Sequence, residues 1–355
     1  MPDSGTLRGV PPFSKRPRDP RNVPPEIYEA EVLPGLEPFA EAELKRVAGV
    51  RQVQRGKGSV IIHFLGDAAT LNRLRTVVSV YHVMHFAVPR PKALLGHEHL
   101  SRLTRAIAVL RQRETFSGFR LSAAGSDSSV FVRFTEMLSR ETKLPQREDG
   151  ELLVRVRRAQ AGWDVLLRLT PRPLSVRPWR VCNLTGGLNA TLASAMVETA
   201  EIGPSDRVFN PMCGSGTLLV EAALYASPAR LVGCDLNAAA LECGAQNLNA
   251  AGVQAELLGA DATATGLEAG SFEVIVSDPP WGDAVGSHTD NAALYPALLK
   301  ECARLATPSA RFVLLTHELK LLERVLADQD FWRVERHFQA FHGGHYPRAY
   351  LLVPL

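Results

Sequence analysis

From residue 181 onward, short apolar runs alternate with stretches whose apolar residues recur every three or four positions. The runs at 208–209, 230–234, 255–258, 272–277 and 310–316 read as strands, and the stretches between them as helices. Such alternation predicts a mostly parallel sheet covered by helices on both faces. The last two runs, 332–339 and 349–353, are separated only by the segment around His342-Gly-Gly-His-Tyr-Pro347, with no helix between them, so they form an antiparallel hairpin.

The first half is patterned differently. Strand, helix, strand, strand, helix, strand read at 27–32, 36–47, 50–53, 59–64, 68–74 and 77–88, the order of a ferredoxin-like split βαβ unit. A second small unit follows, with a helix at 96–112 whose apolar positions are Leu100, Leu103, Ile107 and Leu110, a strand at 117–123, a basic helix at 131–143, and strands at 151–157 and 162–169. Arginines among the apolar residues of those two strands predict one wet, basic face. Pro171-Arg-Pro-Leu-Ser-Val-Arg-Pro-Trp-Arg180 holds three prolines and reads as a stiff, extended linker. The expected division is a flexible basic tail at 1–25, a ferredoxin-like domain at 26–90, a second α+β unit at 91–171, a linker at 172–187 and a Rossmann-like α/β domain at 188–355.

Composition narrows the class. At 355 residues the chain exceeds a usual single domain, and 46% hydrophobic with 22% charged residues is ordinary for a globular protein. No stretch approaches the ~20 apolar residues of a membrane span, and the proline-rich N-terminus lacks the apolar core of a secretory signal, so a cytoplasmic location without membrane contact is expected. Five cysteines, odd in number and without a Cys-x-x-Cys pair, argue against a disulfide framework and a zinc site and read as buried fillers. His97 and His99 lack a third ligand nearby, so no metal is expected. Gly56-Lys-Gly-Ser59 lacks the upstream glycine and following helix of a phosphate loop and reads as a turn. Residues 1–180 carry 30 Lys and Arg against 18 Asp and Glu, a surplus of twelve positive charges within a net charge of only +3. A basic half joined to an acidic half points to a polyanionic partner for the first.

The chemistry lies in the acidic half. In Val208-Phe-Asn-Pro-Met-Cys-Gly-Ser-Gly-Thr217 a strand enters a glycine turn that opens a helix, placing Asn210, Pro211, Cys213, Gly214, Ser215, Gly216 and Thr217 at the ligand end of the sheet. Asp235, with Leu236, ends the next strand, where it can accept from ribose hydroxyls; Asp261, with Ala262, ends the third and can accept from an adenine amine. The third glycine of a dinucleotide turn is missing, which favours S-adenosylmethionine over NAD. Asp278-Pro-Pro-Trp281 supplies what a weakly nucleophilic exocyclic amine needs: acceptors in the Asp278 carboxylate and the Pro279 carbonyl, held by Pro280, and an indole on which an extruded base can stack. His288, His317, His342 and His345 read as surface or packing residues, and Tyr346 and Arg348 are not assigned to the pocket.

Taken together, Phe209-Asn-Pro-Met-Cys-Gly-Ser-Gly-Thr-Leu-Leu-Val-Glu-Ala222, Asp235, Asp261 and Asp278-Pro-Pro-Trp281 resemble the motifs of THUMP-domain RNA guanine-N2 methyltransferases. The resemblance implies a ferredoxin-like domain and a THUMP domain, the latter at 91–171, ahead of a Rossmann-type catalytic domain. It implies tRNA as partner, held by THUMP at its acceptor end, and N2-methylguanosine in the acceptor stem as product, position 6 leading. Leu188-Asn-Ala-Thr-Leu-Ala193 is similar to the family's segment over the methyl donor, which adds Asn189 and Thr191 to the donor residues. The candidate RNA contacts are Arg133, Lys143, Arg147 and Arg155, with Arg177 and Arg180 from the linker, in a monomeric protein. Asn210 stands where many relatives have Asp, and Trp281 where others have Tyr or Phe. Ribosomal RNA guanine-N2 transfer, adenine-N6 transfer and RNA binding without catalysis stand as alternatives.

Overall fold

A computed structural model describes residues 25–281 and 288–355; the expected tail therefore lies almost entirely outside the described residues. Two seven-stranded sheets organise the chain. The first contains β1 (Glu26–Glu31), β2 (Val50–Arg55), β3 (Ser59–Phe64), β4 (Ser79–Phe86), β5 (Phe119–Ala123), β6 (Leu152–Ala159) and β7 (Gly162–Arg168) in the order β2-β3-β1-β4-β7-β6-β5. Its first four strands pair antiparallel, with helix α1 (Glu37–Lys45) between β1 and β2 and a short 3-10 helix, Ala68–Arg73, between β3 and β4. The second unit adds α2 (His97–Arg111) and α3 (Ser129–Thr142), and on α2 the four apolar positions read from the sequence are buried. The two units are not separate layers. β4 pairs β7 from Tyr81↔Arg168 to Phe86↔Trp163, which runs one sheet through both.

The wet basic face expected on β6 and β7 is instead neutralised. Arg157 forks onto Glu29 of β1 at 2.9 and 2.5 Å, Arg155 lies over the Tyr81 ring and reaches Glu31 at 3.3 Å, and Arg168 is buried against the carbonyls of Glu151 and Thr170. Glu29 and Glu31 lie on β1, two strands beyond β7, the neighbour of β6, and more than 100 residues away in sequence, so the alternating pattern of β6 could not reveal these carboxylates.

The second sheet holds β8 (Arg207–Pro211), β9 (Arg230–Asp235), β10 (Glu256–Gly259), β11 (Phe272–Ser277), β12 (Ala306–Thr316), β13 (Trp332–Gln339) and β14 (Arg348–Pro354) in the order β10-β9-β8-β11-β12-β14-β13. The first five are parallel; β14 runs antiparallel between β12 and β13. Strand order reverses at β8, and the gap between β8 and β11 is where such sheets take ligands. Helices α4 (Ala190–Thr199), α5 (Thr217–Ala226), α6 (Ala238–Ala251), α7 (His288–Leu305) and α8 (Leu319–Ala327) cover the faces. No helix among the described residues is long and apolar enough to cross a membrane.

The linker is a packed clasp, not a stiff spacer. Arg177 and Trp179 are 6% and 7% exposed. Arg177 Nε donates to Glu221 of α5 at 2.9 Å and its Nη2 to the Arg75 carbonyl at 2.6 Å, while Arg75 Nε takes the other Glu221 oxygen at 2.8 Å. Arg180 Nη2 bridges the Leu188 carbonyl and Thr217 Oγ1, both at 2.7 Å. Both linker arginines are thus engaged by partners within the chain, Arg177 buried and Arg180 partly exposed. The cysteine reading is corrected as well: Cys182 and Cys243 form a disulfide between the linker and α6, whereas Cys213, Cys234 and Cys302 are free and buried as expected. Odd parity argues against a framework of bridges but leaves room for a single one.

Glu221 is fully buried, so removing its charge leaves two guanidinium groups facing a hole. Glu221→Ala is expected to cost about 3–5 kcal/mol of stability. Urea unfolding followed by tryptophan fluorescence checks this, and a loss below about 1 kcal/mol would contradict the clasp.

Candidate active site

At the end of β8 the chain turns sharply through Met212 (φ 55°), Gly214 (φ 53°) and Gly216 (φ 74°) into α5. A side chain built on Gly214 would meet nothing within 4 Å, because that backbone borders open space; one on Gly216 would make ordinary contact with Gly244 of α6 at 3.4 Å. The first glycine leaves room for a ligand, and the second supplies the left-handed backbone from which α5 starts.

The open space is a cavity of about 1190 Å³. Its wall includes Asn210, Cys213, Gly214, Ser215, Thr217, Asp235, Leu236, Asp261, Ala262 and all of Asp278-Pro-Pro-Trp281. The remaining donor residues read from the sequence do not reach it. Pro211 accepts from Ser277 Oγ at 2.9 Å behind the wall, Gly216 packs on α6, and Asn189 caps α4 by accepting from Thr191 N and Oγ1 at 2.9 and 2.7 Å. The segment just before them, Leu184-Thr-Gly-Gly-Leu188, lines the cavity in their place.

Three carboxylates are set differently. Asp235 receives the Gly214 and Asn237 amides, each at 2.9 Å, which ties the end of β9 to the glycine turn. Asp261 accepts from Thr263 N at 2.8 Å and Oγ1 at 2.7 Å, and these bonds hold it below the usual carboxylate range. Asp278 is recessed, and loss of solvation pushes it up to about 7, partly offset by the Trp281 indole N–H donating to Oδ1 at 3.0 Å. The Asp-Pro-Pro-Trp loop is pinned through the Pro280 carbonyl, which accepts from Asn291 Nδ2 at 3.0 Å and from the Tyr295 hydroxyl at 3.2 Å.

The cavity suits a methyl donor bearing an amino acid and a nucleoside. Asn210 donates through Nδ2 to the Val276 carbonyl at 2.7 Å, but its Oδ1 is buried and unpartnered on the cavity wall. A buried acceptor left without a donor calls for one from the ligand, and an ammonium supplies it. Cys213 does not point to thiolate chemistry, since burial pushes it up to about 12. Among the described residues no group of three or more His, Cys, Asp or Glu is placed to hold a metal ion.

Spacing alone missed three wall segments: the one at 184–188, Ala293, Leu294 and Ala297 of α7, and the hairpin residues His342, Gly343 and His345. The first and last are loops with a Gly-Gly pair, Gly186-Gly187 and Gly343-Gly344, and of the two only the second reads from the sequence as a turn between strands. Burial, and then His345 beside it, holds His342 below its ordinary value. Arg348 pairs with Glu323 at 3.0 Å, away from the wall, and the His288 side chain lies outside the described residues. On α3 and the loop after it, Arg133, Lys143 and Arg147 are exposed. Arg147, with Arg120, Ser122 and the partly paired Arg155, borders a second, shallower depression of about 650 Å³.

Comparison with known proteins places this geometry. Residues 177–348 match the UPF0020 family, RMKL-like, methyltransferase domain. A tRNA (guanine(6)-N2)-methyltransferase of Thermus thermophilus is 31% identical over 92% of this chain and 99% of its own length. The chain belongs to the tRNA guanine-N2 methyltransferase family. A tRNA (guanine(6)-N(2))-methyltransferase THUMP3 of Bos taurus is 31% identical over 46% of this chain and 36% of its own. The crystal structure of TrmN from Thermus thermophilus superposes with a TM-score of 0.74 at 27% identity, covering 93% of this chain and 99% of that one. This methyltransferase is therefore a class I, S-adenosylmethionine-dependent enzyme, and both the Rossmann-like sheet and the donor expected from the sequence hold.

A carboxyl group near neutrality makes the methyltransferase pH-sensitive. Above about 7 Asp278 is ionised and both its oxygens act only as acceptors; below it the group is neutral and one oxygen becomes a donor. Single-turnover transfer is expected to rise with pH through an inflection near 7, and Asp278→Asn is expected to slow it about 100-fold or more and to abolish the inflection. An unchanged rate in the variant would refute the assignment.

Proposed function

We propose that this chain methylates N2 of the guanosine at position 6 in the acceptor stem of tRNA, acting as a monomer in the cytoplasm. One observation carries the reading: Asp278 and Trp281 open onto the same cavity as Gly214, Asp235 and Asp261, so a methyl-donor site and a base-amine site share one wall. Bound there, S-adenosylmethionine supplies a methyl group on a positively charged sulfur. Asp235 and Asp261 are placed for the ribose hydroxyls and the adenine amine, and Asn210 Oδ1 for the donor's ammonium. Asp278 and the Pro279 carbonyl accept from the guanine amine and aim its nitrogen, and the Trp281 ring stacks on the extruded base. A carboxylate with a pKa of about 7 is matched to receive the proton that the amine sheds on methylation.

The N-terminal sheet is assigned as a ferredoxin-like domain at 26–90 followed by a THUMP domain at 91–171, joined through the β4–β7 pairing. Arg133, Lys143 and Arg147, exposed on the second unit, are the phosphate contacts, with Arg155 a lesser one because Glu31 and Tyr81 already engage it.

Incubation with S-adenosylmethionine and unmodified tRNA, followed by nucleoside mass spectrometry, is expected to yield N2-methylguanosine, and a transcript with adenosine at position 6 is expected to yield none. Methyladenosine as the sole product would overturn the reading. Charge reversal at Arg133, Lys143 and Arg147 is expected to weaken tRNA binding across sequences and to lower the salt slope by about 1 for each phosphate no longer neutralised. An unchanged slope would move the docking surface elsewhere.

A further inference from the structure

The β13–β14 hairpin ends in Phe341-His-Gly-Gly-His-Tyr346. His342 N–H donates to the His345 carbonyl at 2.9 Å and His345 N–H to the His342 carbonyl at 3.0 Å, across Gly343 (φ 61°) and Gly344 (φ 87°). Left-handed backbone at both central positions is what a two-residue turn needs to match strand twist. The turn sorts four rings into two pairs. His342 and His345 line the cavity, whereas Phe341 and Tyr346 are 36% and 58% exposed with ring centroids 5.0 Å apart.

The inner pair continues a row of rings. His345 lies 4.5 Å from His317, and His317 lies 6.3 Å from Trp281. An aromatic path thus leads from the base-amine loop to the hairpin tip. The tip is also held from the other half of the molecule. Phe341 N–H donates to the Pro34 carbonyl at 2.8 Å, Phe39 meets Phe338 edge-on at 4.7 Å, and Gly35 (φ 101°) lies so close that a Cβ there would be 2.0 Å from the Gln339 carbonyl oxygen. Its position relative to the basic half is therefore fixed. Two large rings kept in water on a buttressed turn, next in sequence to the two histidines that line the cavity, form a surface made for flat partners.

We propose that this tip is an acceptor-base clamp, in which Phe341 and Tyr346 stack on the base beside the target guanine while His345 and Trp281 flank the guanine itself. The inference rests on the tRNA guanine-N2 reading. A base must leave its stack before its amine reaches Asp278, and the neighbour it leaves exposed needs a new face to lie against. Aromatic rings provide that face without regard to sequence.

The test is single-turnover methylation by the Phe341→Ala/Tyr346→Ala double variant, on tRNA transcripts whose target guanine is either paired or set opposite a mismatch. On the paired transcript the rate is expected to fall about tenfold or more. The mismatch, which weakens pairing in advance, is expected to restore most of that loss, and S-adenosylmethionine affinity by calorimetry is expected to stay within about twofold of the parent. Equal rates for variant and parent on the paired transcript would overturn the clamp, as would a loss that the mismatch leaves in place. A parent protein that methylates neither transcript would overturn the tRNA reading on which the clamp rests.

Discussion

The buried carboxylate of Glu221 is the constraint on which the rest of the molecule depends. It sits on α5, the helix that opens at the glycine turn, and it is fully buried between Arg177 of the linker and Arg75 of the loop that leads into β4. A charge without water tolerates little displacement of its partners, because each broken bond leaves an uncompensated ion in a poorly polarisable interior. Three parts of the chain are thereby fixed at one point. Arg180 extends the constraint to Thr217 and Leu188, so the same network that joins the halves also shapes the entrance to the cavity.

Within the cavity, identical side chains do different jobs because their surroundings differ. Asp261, bonded by Thr263, keeps its charge well into acid, whereas Asp278, deprived of solvation, gives it up as the pH falls through about 7. The first suits permanent acceptance from a ligand amine, and the second suits a proton that arrives and leaves within a turnover. Rigid support makes the distinction useful. The Pro280 carbonyl is held by Asn291 and Tyr295, and Tyr295 is itself held by Thr316 at 2.7 Å, so the loop carrying Asp278 is braced from α7 and β12.

Local signals carried most of the catalytic half. Apolar alternation and the Gly214-Ser-Gly216 turn placed the parallel strands and the donor end of the sheet, and Asp278-Pro-Pro-Trp281 placed the acceptor side, because each depends on residues adjacent in sequence. What stayed hidden depends on pairs far apart in the chain. Glu29 and Glu31 neutralise arginines more than 100 residues away, and Arg177 finds Glu221 at a separation of 44, so exposed-looking basic strands and a basic linker read as RNA contacts when part of that charge is consumed internally. Asn189 and Thr191 were placed by analogy of segment, and a shift of a few residues brought Leu184-Thr-Gly-Gly-Leu188 to the wall instead. The histidines of the last hairpin were invisible for a related reason: a turn shows that the chain reverses but not what it faces.

The bridge joins Cys182 and Cys243 across a sequence separation of 61, and that span contains the glycine turn, all of α5 and the first two strands of the parallel sheet. Closing a loop of that length shrinks the unfolded ensemble of this segment by the equivalent of about 4 kcal/mol. The gain falls on the donor side and bypasses the first sheet altogether. The segment that carries the glycine turn is thus covalently restrained in the unfolded chain, while the first sheet is joined to it by the Glu221 ion pairs and a shared apolar core.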